Sequence, residues 1–89
     1  MPKVTLTSNL QQYYPQNHVE ISGGTLFEVL SNMDKIRPHF MSYILQDDHS
    51  IRTHVNIFID GKIITDKSNT NIKLEAKTQI HIMQALSGG

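Results

Sequence analysis

The chain has 89 residues, which is room for one small domain with a single core. It has no cysteine, so neither a disulfide framework nor a thiolate metal site is available and packing alone must hold the fold. Eight basic and eight acidic residues cancel, removing the electrostatic footprint of a nucleic-acid or anionic-membrane binder; with no signal-like amino terminus and no run of about 18 apolar residues, a soluble cytoplasmic protein is expected.

Lys3 to Ser8 alternates polar and apolar residues, and its β-branched members suit a pleated surface with one buried face. This predicts a first strand with Val4 and Leu6 inward. Asn9 to Asn17 reads as a polar stretch broken by Pro15, and His18 to Ser22 resumes the alternation as a second strand closing a hairpin. Gly23-Gly24 then punctuate the chain. Thr25, with Glu28 three positions on, makes a capping box that opens a helix. Leu26, Val29, Leu30, Met33 and Ile36 form one apolar stripe wide enough to cover a sheet, and Arg37, ahead of Pro38, ends it. Pro38 suits the first turn of a shorter second helix whose buried side is Phe40, Met41, Ile44 and Leu45.

Asp47 to Ser50 is a polar loop. The clearest strand is His54 to Asp60, with Val55, Ile57 and Ile59 on one face and Asn56 and Phe58 on the other. Asp60-Gly61 favours a tight hairpin turn, so Lys62 to Ile64 returns as a short neighbour. Thr65 to Thr78 reads as a surface excursion pinned at one point by Ile72 and Leu74. Gln79 to Gln84 is the last strand, placed to pair inside the sheet. The pattern is α+β, and the expected architecture is the β-grasp (ubiquitin-like) fold. A mixed sheet of four to five strands packs on one main helix plus a short second helix. Residues 1–84 make the domain and 85–89 a flexible tail ending in Gly-Gly.

Five histidines, His18, His39, His49, His54 and His81, fall in different elements, and no pair is spaced for one helix face, so no metal site is assigned. Asp47 and Asp48 sit in a loop without an apolar pocket nearby in sequence and are assigned to solvation. No phosphate loop, nucleophile elbow or dinucleotide fingerprint occurs, and Gly23-Gly24 are read as a turn, not an anion site. What remains is Ala85-Leu86-Ser87-Gly88-Gly89. A frayed terminus is one reading. A pair without β-carbons also lets an extended tail enter a narrow channel and brings a carboxylate close to nucleotide phosphates.

The chain resembles the ubiquitin-like sulfur carriers of the MoaD and ThiS type, the molybdopterin-synthase small subunit and the thiamine-biosynthesis carrier. The residues that carry the resemblance are His54-Val55-Asn56-Ile57-Phe58-Ile59-Asp60-Gly61 and Ala85-Leu86-Ser87-Gly88-Gly89. Segment 52–61 is most similar to the molybdopterin branch and the related carriers of cysteine synthesis. The resemblance implies a protein cosubstrate, not an enzyme, that binds no cofactor itself. Its Gly89 carboxylate is adenylated by an E1-like adenylyltransferase of the MoeB/ThiF type that consumes ATP. A sulfur donor then converts the adenylate to a thiocarboxylate, and a sulfur-accepting synthase subunit or enzyme receives the sulfur. Gly89 and Gly88 are the reactive end, and Phe58, Ala85, Leu86 and Ser87 are expected to meet the partners. Two alternatives stay open, a ubiquitin-like modifier joined to other proteins through Gly89 and an interaction domain with an unreactive Gly-Gly.

Overall fold

The computed structural model describes residues 1–14 and 16–84. Among them, strands β1 (Lys3–Leu6), β2 (His18–Glu20), β3 (Val55–Ile59), β4 (Lys62–Ile63) and β5 (Gln79–Gln84) form one sheet in the order β2-β1-β5-β3-β4. β1 and β5 are parallel and the other neighbours antiparallel, which gives the expected mixed sheet. One sheet face carries the main helix α1 (Leu26–Ile36) and the short α2 (Phe40–Ile44). Alternate residues of a strand share a face, so Val4, Leu6, Val55, Ile57, Ile80 and Ile82 all turn inward. There they meet Leu26, Val29, Leu30 and Met33 of α1, which are fully buried.

The capping box at the start of α1 is present, displaced by one residue on its acidic side. Thr25 Oγ1 accepts from the Glu28 amide at 3.2 Å, and Glu28 Oε2 accepts from the Gly24 amide at 3.0 Å. The first turn of a helix has N–H groups with no partner inside the helix. Here the 65–78 excursion supplies them: Leu26 N–H donates to Ile72 O at 3.0 Å and Phe27 N–H to Thr70 O at 2.9 Å. Leu74 N–H returns a bond to Gly24 O at 2.9 Å. The excursion is therefore stitched to the helix entry through its backbone, in addition to the expected anchors Ile72 and Leu74, which pack against the core. Ile72 and Leu74 are only half-buried, and the buried residues of the segment are Thr70 and Thr78.

Other expectations need correction. Ile36 is 64% exposed, because α1 ends there and Phe40 of α2 takes the next place in the core. Pro38 precedes α2 instead of sitting in its first turn. The reversal between the helices is made at His39, which adopts the left-handed conformation at φ 75°, and Asp34 Oδ1 accepts from the Met41 amide at 2.9 Å. Met41 is half-buried. The stretch 9–17 is not wholly polar in role: a short 3-10 turn, Ser8–Leu10, sends Leu10 inward, and Tyr14 follows it into the core. Tyr14 packs edge-on against Phe40 with ring centroids 5.1 Å apart, and burial pushes its phenol above the usual range. β2 stops at Glu20, two residues short of the expected strand, yet Ile21 is still buried. The Asp60-Gly61 turn is as expected, with φ 49° and 83°.

Gly23 and Gly24 are separable by packing. A β-carbon on Gly23 would lie 2.7 Å from Val29 Cγ2 and 2.8 Å from Val29 N, whereas one on Gly24 meets only Glu28 Oε2 at 3.7 Å. Gly23→Ala is expected to destabilise the fold by about 1–3 kcal/mol through overpacking against helix backbone. Gly24→Ala should stay within about 0.5 kcal/mol. Thr25→Ala, which removes the cap hydroxyl, should cost about 1 kcal/mol. Urea midpoints of the three variants check the ranking, and equal midpoints for the two glycine variants would refute the close approach.

Candidate functional site

The sheet face turned away from α1 is built by the cross-strand register. His81 of β5 stands opposite Thr5 of β1 on one side and Phe58 of β3 on the other. Thr5 stands opposite His18, and Phe58 opposite Ile63. A single row, His18-Thr5-His81-Phe58-Ile63, thus crosses all five strands, with Met83 opposite Asn56 in the next row. Ile63 is 46% and Met83 43% exposed, so with Phe58 they leave an apolar patch on β3, β4 and β5. Directly opposed residues on one face sit about 4.5–5.5 Å apart at their β-carbons. That is why Phe58 is half-buried instead of standing free: His81 and Ile63 flank it.

A second feature lies where β5 ends. Gln84 is opposite Val55, and beside this pair a cleft of about 500 Å³ opens between α2 and the turn before β3. Ser42, Tyr43 and Gln46 form one wall, and Arg52, Thr53 and His54 the other. Arg52 is fixed in place: its Nε–H donates to Ser42 O at 2.8 Å and its amide to Ile44 O at 3.0 Å. Lys67 Nζ donates to Thr53 O at 3.0 Å, bringing another cation to the same turn. Tyr43 stacks on Tyr13 with ring centroids 3.8 Å apart, which steadies the α2 wall.

Of the residues expected to act, Phe58 is placed on the patch, while Ala85, Leu86, Ser87, Gly88 and Gly89 lie outside the described residues. The histidines scatter as their spacing implied. His18 and His81 share the open-face row, His39 and His49 occupy left-handed turn positions, and His54 lies in the turn before β3, on the cleft. Thr5 Oγ1 and His18 Nδ1 are 3.2 Å apart. Among the described residues no group of three or more His, Asp or Glu side chains is placed to hold a metal ion, and no helix is long and apolar enough to cross a membrane. Asp48 accepts from the Ser50 amide at 3.0 Å and hydroxyl at 2.6 Å. These bonds hold its carboxyl below the usual range, and Ser68 does the same for Asp66, so both acids close their own loops. Sequence reasoning missed Arg52, Ile63 and Met83. The alternation after the Asp60-Gly61 turn and along β5 marks the last two as outward-facing, whereas a lone arginine before a strand carries no signal in sequence.

No family model matches the chain, and none of the curated proteins matches it in sequence. Solved structures do. CysO of Amycolatopsis orientalis, determined in complex with BexX, superposes with a TM-score of 0.88 at 13% identity, covering 100% of both chains. CysO of Mycobacterium tuberculosis gives 0.85 at 17% identity, covering 97% of this chain and 100% of that one. The small archaeal modifier protein 1 (SAMP1) of Methanosarcina acetivorans gives 0.80 at 26% identity, covering 99% of this chain and 95% of that one. The chain has the ubiquitin-like β-grasp fold, and its structural neighbours are ubiquitin-like carriers of the MoaD/ThiS type, the family its sequence resembles.

Proposed function

We propose that this chain is a sulfur carrier whose Gly89 carboxylate is activated and converted to a thiocarboxylate that donates sulfur in the biosynthesis of a cofactor or metabolite. The observation that supports this most is the place of β5: the central strand of a carrier-like sheet hands the chain directly to Ala85-Leu86-Ser87-Gly88-Gly89. Residues 85–89 act as the tail of a domain formed by 1–84. Five extended residues reach about 17 Å, enough to carry the carboxylate into a partner's active site while the sheet docks outside. The two glycines allow passage through a channel that β-carbons would obstruct.

A carboxylate is a poor electrophile, so activation must come first. An oxygen of the Gly89 carboxylate attacks the α-phosphate of ATP in an E1-like adenylyltransferase, and pyrophosphate leaves. A sulfide-level donor then attacks the acyl carbon, the bond to the AMP oxygen breaks, and AMP departs to leave the thiocarboxylate. The patch of Phe58, Ile63 and Met83 is the docking face for the activating enzyme and for the synthase subunit or enzyme that accepts the sulfur. The chain is a cosubstrate in this scheme and performs no turnover of its own. The likeness to CysO and the sequence resemblance to the molybdopterin branch make cysteine and molybdopterin synthesis the two pathways to examine, in the cytoplasm.

A second reading, conjugation of Gly89 to lysines of other proteins, is favoured by the likeness to a protein named as a modifier, SAMP1. Both readings begin with adenylation and separate afterwards. Intact mass of the chain from its own host is expected to show the exchange of one oxygen for sulfur, abolished by deleting Gly89. High-mass adducts through Gly89 would select the modifier instead. An unmodified chain in the presence of ATP, sulfide and host extract would leave only an interaction domain. Phe58→Asp is expected to weaken docking on the activating enzyme by about tenfold or more, since a charge replaces a central apolar contact, with an unchanged circular dichroism spectrum.

A further inference from the structure

We infer that the cleft beside Gln84 is an anion site that takes a carboxylate side chain of the enzyme activating the tail, with Arg52 as the reader; this deepens the carrier reading and rests on it. Arg52 is held before any partner arrives. Its Nε–H is committed to Ser42 O at 2.8 Å, which fixes the guanidinium plane, while its terminal N–H groups hydrogen-bond to no described residue. A guanidinium oriented in this way presents a planar fork matched to the two oxygens of a carboxylate. The ordering entropy that an exposed arginine normally surrenders on binding is already spent here.

The lining opposes no acid to Arg52. His54 lines the cleft and Lys67 Nζ lies on Thr53 O at 3.0 Å, and the described lining includes no Asp or Glu. In a chain whose charges cancel overall, the described lining of this cleft carries the Arg52 guanidinium and no carboxylate. The anion it awaits comes from polypeptide, not nucleotide. Gly89 must reach the α-phosphate of ATP, and with the tail extended that point lies about 17 Å from Gln84, beyond the cleft. What sits at the root of an inserted tail is the rim of the partner's channel, and a carboxylate there would meet Arg52.

The test uses the full chain, ATP and the E1-like adenylyltransferase of the same genome, with pyrophosphate release as readout. Arg52→Glu and His54→Glu are expected to raise KM for the carrier about tenfold or more, leaving kcat and KM for ATP within about twofold. The His54 side chain makes no hydrogen bond within the described residues, so that variant should keep the wild-type melting temperature even if Arg52→Glu does not. Replacing a rim carboxylate of the enzyme by lysine should restore Arg52→Glu. Unchanged KM for the carrier in the His54 variant would overturn the inference, as would a change confined to KM for ATP, which would make the site a nucleotide contact. If wild-type chain releases no pyrophosphate at all, the carrier reading itself fails and the inference falls with it.

Discussion

The rest of the structure depends on the parallel pairing of β1 with β5, from Lys3 opposite Gln79 to Leu6 opposite Ile82. It inserts the last strand between β1 and β3, so both edges of β5 are hydrogen-bonded and Ile80 and Ile82 are fully buried. Burial of each isoleucine contributes about 1.5–3 kcal/mol. The strand that leads to Gly88-Gly89 is thus held on both edges and by its buried face. The pairing also sets the task of segment 65–78. The chain must travel from edge strand β4 back to the centre, and it does so across the entry of α1, taking that helix's unpaired N–H groups as partners. A polar segment with little apolar content is held because a helix start needs acceptors.

Much of this was legible because two periods carry it. Alternation placed Val4, Leu6, Val55 and Ile57 inward, and the stripe of Leu26, Val29, Leu30 and Met33 named the helix face. Thr25-Glu28 and Asp60-Gly61 located a helix start and a hairpin through local chemistry alone. The errors fall where position depends on a distant partner. Ile36 continues the stripe in sequence, but the helix ends and Phe40 arrives from another element to close the core. Leu10 and Tyr14 lie in a stretch whose composition is polar, and only the tertiary fold turns them inward. The stitching of 65–78 uses backbone atoms, which no pattern of side chains reveals.

The candidate site was readable to the same degree. Phe58 could be assigned to the open face from alternation, since residues one apart on a strand must point oppositely. Its half-burial could not, because that depends on register against His81 and Ile63 in two other strands. Met83 and Ile63 complete the patch only once β5 is known to lie beside β3 and β4 beyond it. Arg52 becomes visible last of all, through one bond from its Nε to a carbonyl ten residues earlier in the chain.

Patch and cleft stand on opposite sides of one strand end. Phe58, Ile63 and Met83 occupy the sheet face away from α1, whereas Gln84 points with Val55 toward the side where α2 lies. A partner gripping only the apolar patch would leave the sheet free to pivot, because apolar contact is non-directional. Contact on the cleft side adds a directional hydrogen-bonded point across the strand from the first. In the proposed carrier, two such points on either side of β5 would set the direction in which the chain leaves the sheet. On that reading, orientation of the strand end is what the paired edges of β5, the apolar patch and the held guanidinium of Arg52 would jointly supply.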